Sequence, residues 1–206
     1  MEAASTPNPT TPSSSDLFRT LFVYGPMMAE EVVVALLGRS PARRPATLSG
    51  YARCCKKGAE QRDGVCSTHR SLVAATYPAV IETGNPAHEV EGIILERLRP
   101  QEIRCLDYFE DESYQKIPVQ VVTENGFGGR TPIDCLVYSY PSTQMAASLL
   151  DPSKPWGYKE FRQHHLASFV ESIVKPAKAR FEKEEGELEV IHTERNGQMS
   201  ARSRGT

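Results

Sequence analysis

Glu110 occupies a position where a carboxylate could transfer protons. Pro100 is well suited to the first turn of a helix, and Ile103 and Leu106 then follow at helical spacing. Glu110 lies four residues past Leu106, so a helix that included it would place its carboxylate on the apolar side. An apolar environment raises the pKa of a carboxyl group toward the range that suits general acid and base catalysis. The alternative is that Glu110 merely ends a helix within an acidic cluster.

The cysteines and histidines of the sequence do not form a recognisable metal site. None of the five cysteines belongs to a CxxC pair, so the sequence indicates neither a zinc site nor an even disulfide framework. Cys54 and Cys55 are adjacent, and in a strand they would point to opposite faces. His164 and His165 are also adjacent, so one helix face cannot present both to a single metal ion.

The composition favours one folded domain with a tail at each end. The chain has 206 residues with 24 basic and 26 acidic side chains, and it has no basic stripe that would indicate nucleic-acid binding. No apolar run approaches the length of a membrane span, and no signal-peptide core precedes the first strand. We expect a cytoplasmic protein with a disordered tail at 1–17, a domain at 18–183 and a disordered tail at 184–206. The sequence does not indicate the oligomeric state.

The order of apolar runs and turns predicts a curved sheet with helices outside it. A buried strand over 20–24 ends at Gly25 and Pro26, and a helix over 29–37 ends at Gly38. Further strands are predicted over 45–57, 77–81, 89–98, 115–121 and 131–140, and a long helix over 157–181 that Pro176 kinks or ends. Because the strands come mostly in hairpin order, we expect an α+β fold: a mixed β-barrel with outer helices and a C-terminal helix.

Several short segments, in a fixed order, carry a resemblance to a known family. They are Phe-Val-Tyr-Gly at 22–25, Leu-Ser-Gly-Tyr at 48–51, Tyr-Pro-Ala-Val at 77–80, Val-Glu-Gly at 90–92 and Leu-Asp-Tyr-Phe-Glu at 106–110, followed by Tyr114. The chain thereby resembles the γ-glutamylcyclotransferase-like family, and Trp-Gly-Tyr-Lys-Glu-Phe-Arg at 156–162 is similar to the C-terminal helix of its AIG2-like branch. The resemblance covers about residues 20–174.

The resemblance implies a small barrel with one cavity and an enzyme that releases 5-oxoproline from a γ-glutamyl amine or peptide, without metal or cofactor. It places the catalytic acid on Glu110, the glutamate of the Leu-Asp-x-x-Glu motif. Tyr114 would either hydrogen-bond the substrate or Glu110, or pack on the core. The resemblance places the glutamyl-binding loop on Tyr24, Gly25, Pro26, Met27 and Met28.

The reaction suits a single carboxylate. The α-amine of the substrate attacks its own γ-carbonyl, so the tether between them removes much of the entropic barrier. One carboxylate can take a proton from the α-ammonium group and return one to the leaving amine. Backbone N–H groups of the turn after Tyr24 can stabilise the oxyanion that forms.

Pro26 and Met27 depart from the family pattern, which usually has a small polar residue and then often leucine. Proline has no backbone N–H, so a hydrogen bond donated to substrate from position 26 would be lost, at roughly 1–3 kcal/mol. Two alternatives therefore stay open. One is a catalytically silent small-molecule-binding module of the same fold, and the other is an amide hydrolase that uses the same acid with water.

Overall fold

The computed structural model describes residues 19–56, 78–110, 112–124, 128–142, 150–151 and 156–187. Its strands are β1 (Leu21–Val23), β2 (Ala42–Ser49), β3 (Tyr51–Lys56), β4 (Pro78–Glu82), β5 (Glu89–Glu96), β6 (Gln115–Glu124), β7 (Arg130–Ser139) and β8 (Leu150–Asp151). Its helices are α1 (Glu30–Leu37), α2 (Pro100–Phe109), α3 (Tyr158–His164), α4 (Leu166–Phe169) and α5 (175–187). A 3-10 turn spans Pro26–Met28, and a π-helical segment, Val170–Val174, joins α4 to α5.

Within these ranges, five strands close a barrel in the order β1-β5-β2-β6-β7. β1 pairs antiparallel with β5 and parallel with β7, where Leu21 lies opposite Leu136, and this parallel pairing closes the barrel. Gly92 of β5 permits the close approach of β1, because a Cβ atom there would lie 2.5 Å from the Val23 carbonyl oxygen. The predicted mixed barrel with outer helices is confirmed.

A second sheet has the order β4-β3-β8, and its strand β4 contacts the end of β7, where the Ser139 hydroxyl donates to the Val80 carbonyl oxygen at 3.1 Å. β4 is an edge strand of this sheet, as Pro78 indicated. The prediction of one strand over 45–57 was wrong, because Gly50 adopts a φ of 84° and separates β2 from β3. Cys54 and Cys55 face opposite sides of β3, as predicted, and pack in different apolar clusters.

The helices pack against the outside of the barrel through an apolar layer. Val33 of α1, Leu106 of α2 and Phe161 of α3 are all buried in it. Of the two outcomes predicted for Pro176, a kink or an end of the C-terminal helix, the second does not occur, because α5 continues to residue 187. Pro176 lies two residues after Val174, so the residue without an N–H is close to where the hydrogen-bond register changes from π to α.

α5 continues to residue 187, so residues 184–187 of the tail expected at 184–206 are helical. The rest of that tail and the tail expected at 1–17 lie outside the described residues. None of the helices in the described ranges combines the length and apolarity that a membrane crossing requires.

Candidate active site

Tyr24 is the last residue before the bend that ends β1. Its ring packs in the apolar interior of the barrel, and its hydroxyl donates a hydrogen bond to the Tyr138 carbonyl oxygen at 2.6 Å. The next residue is Gly25, and a Cβ atom there would lie 2.8 Å from Cγ of Pro78. Glycine is therefore required for the chain to pass this close to β4.

The bend continues as a tight 3-10 turn, and some of its backbone groups form hydrogen bonds within the turn. The N–H of Met28 donates to the Gly25 carbonyl at 2.8 Å, and the N–H of Ala29 donates to the Pro26 carbonyl at 2.9 Å. Pro26 begins the turn, where a missing N–H breaks no intramolecular bond. In the described part of the chain, the N–H groups of Gly25 and Met27 donate to no other residue and stay available for a ligand.

Side chains around the turn hold it rigidly on the outer layer. The Met27 side chain is buried among the helices, so only its backbone could contact a ligand. The Met28 carbonyl oxygen accepts hydrogen bonds from Arg43 Nη2 at 2.5 Å and from the Tyr158 hydroxyl at 3.0 Å. Beside Met28 lies an open cleft of about 350 Å³, lined also by Tyr158 and by Arg43, Arg44 and Arg162.

Glu110 lies directly after α2, and the helix does not extend to include it. α2 ends at Phe109, and Glu110 has an extended backbone (φ −74°, ψ 144°). Its N–H nevertheless donates to the Leu106 carbonyl at 3.0 Å, which preserves the four-residue spacing seen in the sequence. The side chain is partly buried. The alternative in which Glu110 ends the helix is thus correct for the backbone.

The charge of Glu110 acts on two tyrosines that line the bend. Burial, and then the negative charge of Glu110, raise the pKa of Tyr24 well above its usual value. Burial, the hydrogen bond to Asp107 and the charge of Glu110 all raise the pKa of Tyr138. A carboxylate stabilises the protonated form of a phenol most strongly at short range. The charge of Glu110 therefore reaches both tyrosines.

Asp107 connects α2 to the barrel, a role that the sequence did not reveal. Its Oδ1 accepts a hydrogen bond from the Tyr138 hydroxyl at 2.5 Å. Lys116 Nζ donates to both carboxylate oxygens of Asp107, at 2.6 and 2.7 Å. Asp107, one turn before Glu110, thus fixes the end of α2 against β6 and β7. These contacts also fix the position of the Glu110 backbone.

Tyr114 packs beside the second sheet. Its hydroxyl donates to the Pro78 carbonyl oxygen at 3.2 Å, and its ring meets that of Tyr140 edge-on with centroids 5.6 Å apart. Gly25 packs against Pro78, so Tyr114 stabilises the bend indirectly, through its hydrogen bond to Pro78.

Arg53 of β3 is a charged residue at the bend. From the sequence, it either flanks the cavity and attracts a substrate carboxylate or serves as solubilising charge on a strand edge. Its Nη1 donates to the Tyr24 carbonyl oxygen at 2.9 Å, and its guanidinium carbon lies 5.3 Å from the centroid of the Trp156 ring. Its positive charge acts on the Tyr24 phenol in the sense opposite to that of Glu110. Strand alternation could have placed Arg53 on the same face as Tyr51, but nothing in the sequence pairs it with Tyr24.

Comparison with known proteins gives the family. The model of the family described as γ-glutamyl cyclotransferase, AIG2-like, matches residues 21–158. The chain belongs to this family. AIG2-like protein D of Arabidopsis thaliana is 27% identical to it over 158 residues, which are 77% of this chain and 88% of the relative. AIG2-like protein C of the same plant is 28% identical over 155 residues, or 75% of this chain and 76% of the relative.

A solved structure agrees with the AIG2-like fold. The solution structure of another Arabidopsis thaliana protein superposes with a TM-score of 0.50 at 24% identity, and the match covers 82% of this chain and 97% of the other. In this AIG2-like chain, the Tyr24 hydroxyl bonds the Tyr138 carbonyl, and the Tyr138 hydroxyl bonds Asp107, three residues before Glu110. Within the described residues, no cluster of side chains could hold a metal ion.

Proposed function

We propose that this chain is a γ-glutamylcyclotransferase that releases 5-oxoproline from a γ-glutamyl amine or short peptide, with Glu110 as general acid and base. The observation that carries the proposal is the link between bend and acid: Tyr24 bonds Tyr138, Tyr138 bonds Asp107, and the partly buried Glu110 follows three residues later. Membership of the γ-glutamyl cyclotransferase, AIG2-like family supports the same chemistry.

The reaction needs a base for the substrate and an acid for the leaving group. Glu110 removes a proton from the α-ammonium group, and the free amine attacks the γ-carbonyl carbon. The same carboxyl group then gives its proton to the leaving amine as the C–N bond breaks. The second proton of the attacking nitrogen also passes through Glu110 to the departing amine, which leaves as an ammonium ion. Because both protons end on the product amine, the enzyme finishes in the state in which it began. The bound rotamer of the glutamyl chain supplies the proximity of the two reacting groups.

We assign the stabilisation of the oxyanion in the tetrahedral intermediate to backbone N–H groups of the bend. The N–H groups of Gly25 and Met27 make no hydrogen bond within the described chain and belong to a turn that is held on several sides. Donors that are fixed before the reaction stabilise a developing negative charge without reorganisation. Tyr24, Gly25, Pro26, Met27 and Met28 are thereby proposed as the substrate-binding segment, with Tyr114 in support.

The test is to incubate the protein with a set of γ-glutamyl amines and γ-glutamyl dipeptides and to identify the products by mass spectrometry. Release of 5-oxoproline above the rate in buffer alone supports the proposal. Release of free glutamate would instead identify an amide hydrolase, in which water replaces the substrate amine as the nucleophile. Absence of both products for the whole set would refute an enzymatic role on γ-glutamyl compounds.

Pro26 favours one alternative, a binding module of the same fold that has lost activity. The turn has no N–H at position 26, so it presents one donor fewer than a turn with another residue there. In that case, isothermal titration calorimetry would detect binding of γ-glutamyl compounds to a protein that turns none of them over.

The compartment and the partners belong to the same proposal. We propose a small-molecule substrate, a cytoplasmic location and no role for nucleic acid or a membrane. The support is the near balance of 24 basic and 26 acidic residues and the reduced cysteines expected of a cytosolic chain. Fractionation of cells that express the full chain would test the location.

A further inference from the structure

We infer that Arg53 binds the α-carboxylate of the γ-glutamyl group, so that the site selects substrates that carry this carboxylate. The inference rests on the proposed function, and it assigns a recognition role to a side chain outside the family motifs used above. It begins from the place of Arg53 in β3, where it pairs with Val80 of β4 and faces the end of β1.

The guanidinium group of Arg53 is held in a fixed orientation. Nη1 donates to two backbone carbonyl oxygens, that of Tyr24 at 2.9 Å and that of Glu91 at 3.2 Å. The guanidinium carbon lies over the Trp156 ring at 5.3 Å, which is within the range of a cation–π contact. Arg53 is therefore anchored to the residue that precedes Gly25, and it does not depend on a ligand for its position.

Among the described residues, no carboxylate lies within ion-pair distance of Arg53, although the charge of Glu91 acts on it from further away. Arg39 and Arg44 each hold a glutamate with two nitrogens, Glu102 and Glu96 respectively. No ion pair in the described part of the chain includes Arg53, and its Nε and Nη2 donate to no residue there. A partly buried charge without a partner is unfavourable, and a planar carboxylate matches the two free nitrogens of a guanidinium fork.

The bend places this cation opposite the catalytic acid. Arg53 Nη1 donates to the carbonyl oxygen of Tyr24. The hydroxyl of Tyr24 donates to the Tyr138 carbonyl oxygen, and the Tyr138 hydroxyl donates to Asp107, three residues before Glu110. In a γ-glutamyl group, the α-carbon carries an ammonium and a carboxylate on neighbouring bonds. A substrate that presents its ammonium to Glu110 has its carboxylate free to face a cation, and Arg53 is the arginine that contacts this turn from β3.

The first experiment compares two substrates with the same leaving amine. One is a γ-glutamyl amide, and the other is the matching 4-aminobutyryl amide, in which hydrogen replaces the α-carboxylate and cyclisation gives pyrrolidin-2-one. We expect the full chain to prefer the γ-glutamyl amide by at least about tenfold in kcat/KM, the size of a charge-assisted hydrogen bond. Arg53→Met should lose this preference, and Arg53→Lys should keep part of it.

The matched control is Arg130→Met, which removes the same charge at the exposed start of β7, where Arg130 pairs with Glu124 at the far end of the hairpin from Tyr138. It should keep the full preference. A wild-type preference in Arg53→Met would overturn the inference. So would an Arg53→Met variant that loses only its discrimination between γ-glutamylglycine and γ-glutamylmethylamine, because Arg53 would then bind the carboxylate of the leaving group.

A binding measurement separates this inference from the proposed function. Calorimetric titration of the full chain with 5-oxoproline and with pyrrolidin-2-one compares two products that differ only in the carboxylate. We expect 5-oxoproline to bind at least about tenfold more tightly, and the difference to disappear in Arg53→Met.

Failure of the proposed function and failure of the role assigned to Arg53 then give different results. If no substrate is turned over but this difference holds, the proposed function fails and the role of Arg53 stands. If 5-oxoproline is released but the two products bind the wild type equally or not at all, the role of Arg53 fails alone. Should Arg53→Met not fold, the wild-type comparison together with Arg53→Lys decides in the same way.

Discussion

The Tyr24 hydroxyl donates a hydrogen bond of 2.6 Å to the backbone carbonyl of Tyr138, two residues that lie 114 positions apart in the chain. This bond joins the end of the first strand to the seventh. The Tyr138 side chain in turn donates to Asp107 at 2.5 Å, so the same residue links the bend to the helix that precedes Glu110. The relative positions of bend and acid are therefore set by one short chain of hydrogen bonds.

Tyr24→Phe tests this connection. The change removes the donor and leaves a buried carbonyl group with one bond fewer, so we expect the free energy of unfolding to fall by about 1–3 kcal/mol. Urea denaturation followed by circular dichroism measures it. The control is Tyr51→Phe, since the Tyr51 hydroxyl makes no hydrogen bond within the described chain. Equal losses in the two variants would mean that the Tyr24 bond contributes nothing specific.

Glu110→Gln tests the assignment of the acid. The amide keeps the size of the side chain but cannot accept and return a proton, so we expect 5-oxoproline release to fall by at least about 10²-fold. The urea midpoint should stay within the range of repeated wild-type measurements. Glu112→Gln is the matched control, because Glu112 is an exposed acid two residues further on, and it should keep wild-type turnover. A Glu110→Gln variant that turns over at the normal rate would remove the acid from the mechanism.

Pro26 can be tested by restoring the missing donor. Pro26→Ala and Pro26→Ser both supply a backbone N–H, and we expect kcat/KM for γ-glutamyl substrates to rise about tenfold in each. The free energy of unfolding should fall by roughly 0.4–1 kcal/mol, since the unfolded chain gains freedom. Comparison of the two variants separates the N–H from the serine hydroxyl. An unchanged kcat/KM in both would show that substrate accepts no hydrogen bond from position 26.

The lowered pKa of Glu102 predicts how the free energy of unfolding depends on pH. Burial opposes ionisation of this carboxyl group. Hydrogen bonds from Arg39 at 2.5 and 2.6 Å and from the Arg99 N–H at 2.7 Å outweigh it and hold the pKa of Glu102 below its usual range. The unfolded chain then binds more protons than the folded chain between the two pKa values. The stabilisation is therefore complete above the ordinary glutamate pKa and is lost as the pH falls through the lower, folded value.

We accordingly expect Glu102→Gln to lower the free energy of unfolding by about 1.5–3 kcal/mol at pH 7. The difference from the wild type should shrink as the pH is lowered below about 4. Urea denaturation at a series of pH values measures this. The control is Glu160→Gln, an exposed acid without an ion pair among the described residues. A difference between Glu102→Gln and the wild type that is constant with pH would contradict the linkage.

Much of the fold could be predicted from local patterns, because those patterns depend on neighbours in the sequence. The alternation in 115–121 and the turn after it gave the β6–β7 hairpin, whose register runs from Gln115 opposite Ser139 to Glu124 opposite Arg130. Gly38 ends α1 with a φ of 75°, as a left-handed C-terminal residue should. The break at Gly50 was missed, since an isolated glycine within an apolar run does not show whether the strand bends or continues.

The candidate site was predictable only in part. Spacing placed Glu110 near the apolar side of α2, but it could not show that the helix stops one residue earlier. Helix ends are decided by small differences in local free energy, so single residues at a boundary are hard to assign. The contacts of Arg53 with Tyr24 and Trp156 join segments 29 and more residues apart, and no local pattern encodes them.

The closure of the barrel by β1 and β7 has a consequence for synthesis of the protein. β1 is three residues long and is bordered by β5 on one side and β7 on the other. Without these neighbours, so short a strand is not stable. On the ribosome, the bend at Gly25 emerges early but gains its final neighbours only after β7 has left the exit tunnel. Fragments released before that point are expected to be catalytically inactive, even if part of their structure has already formed.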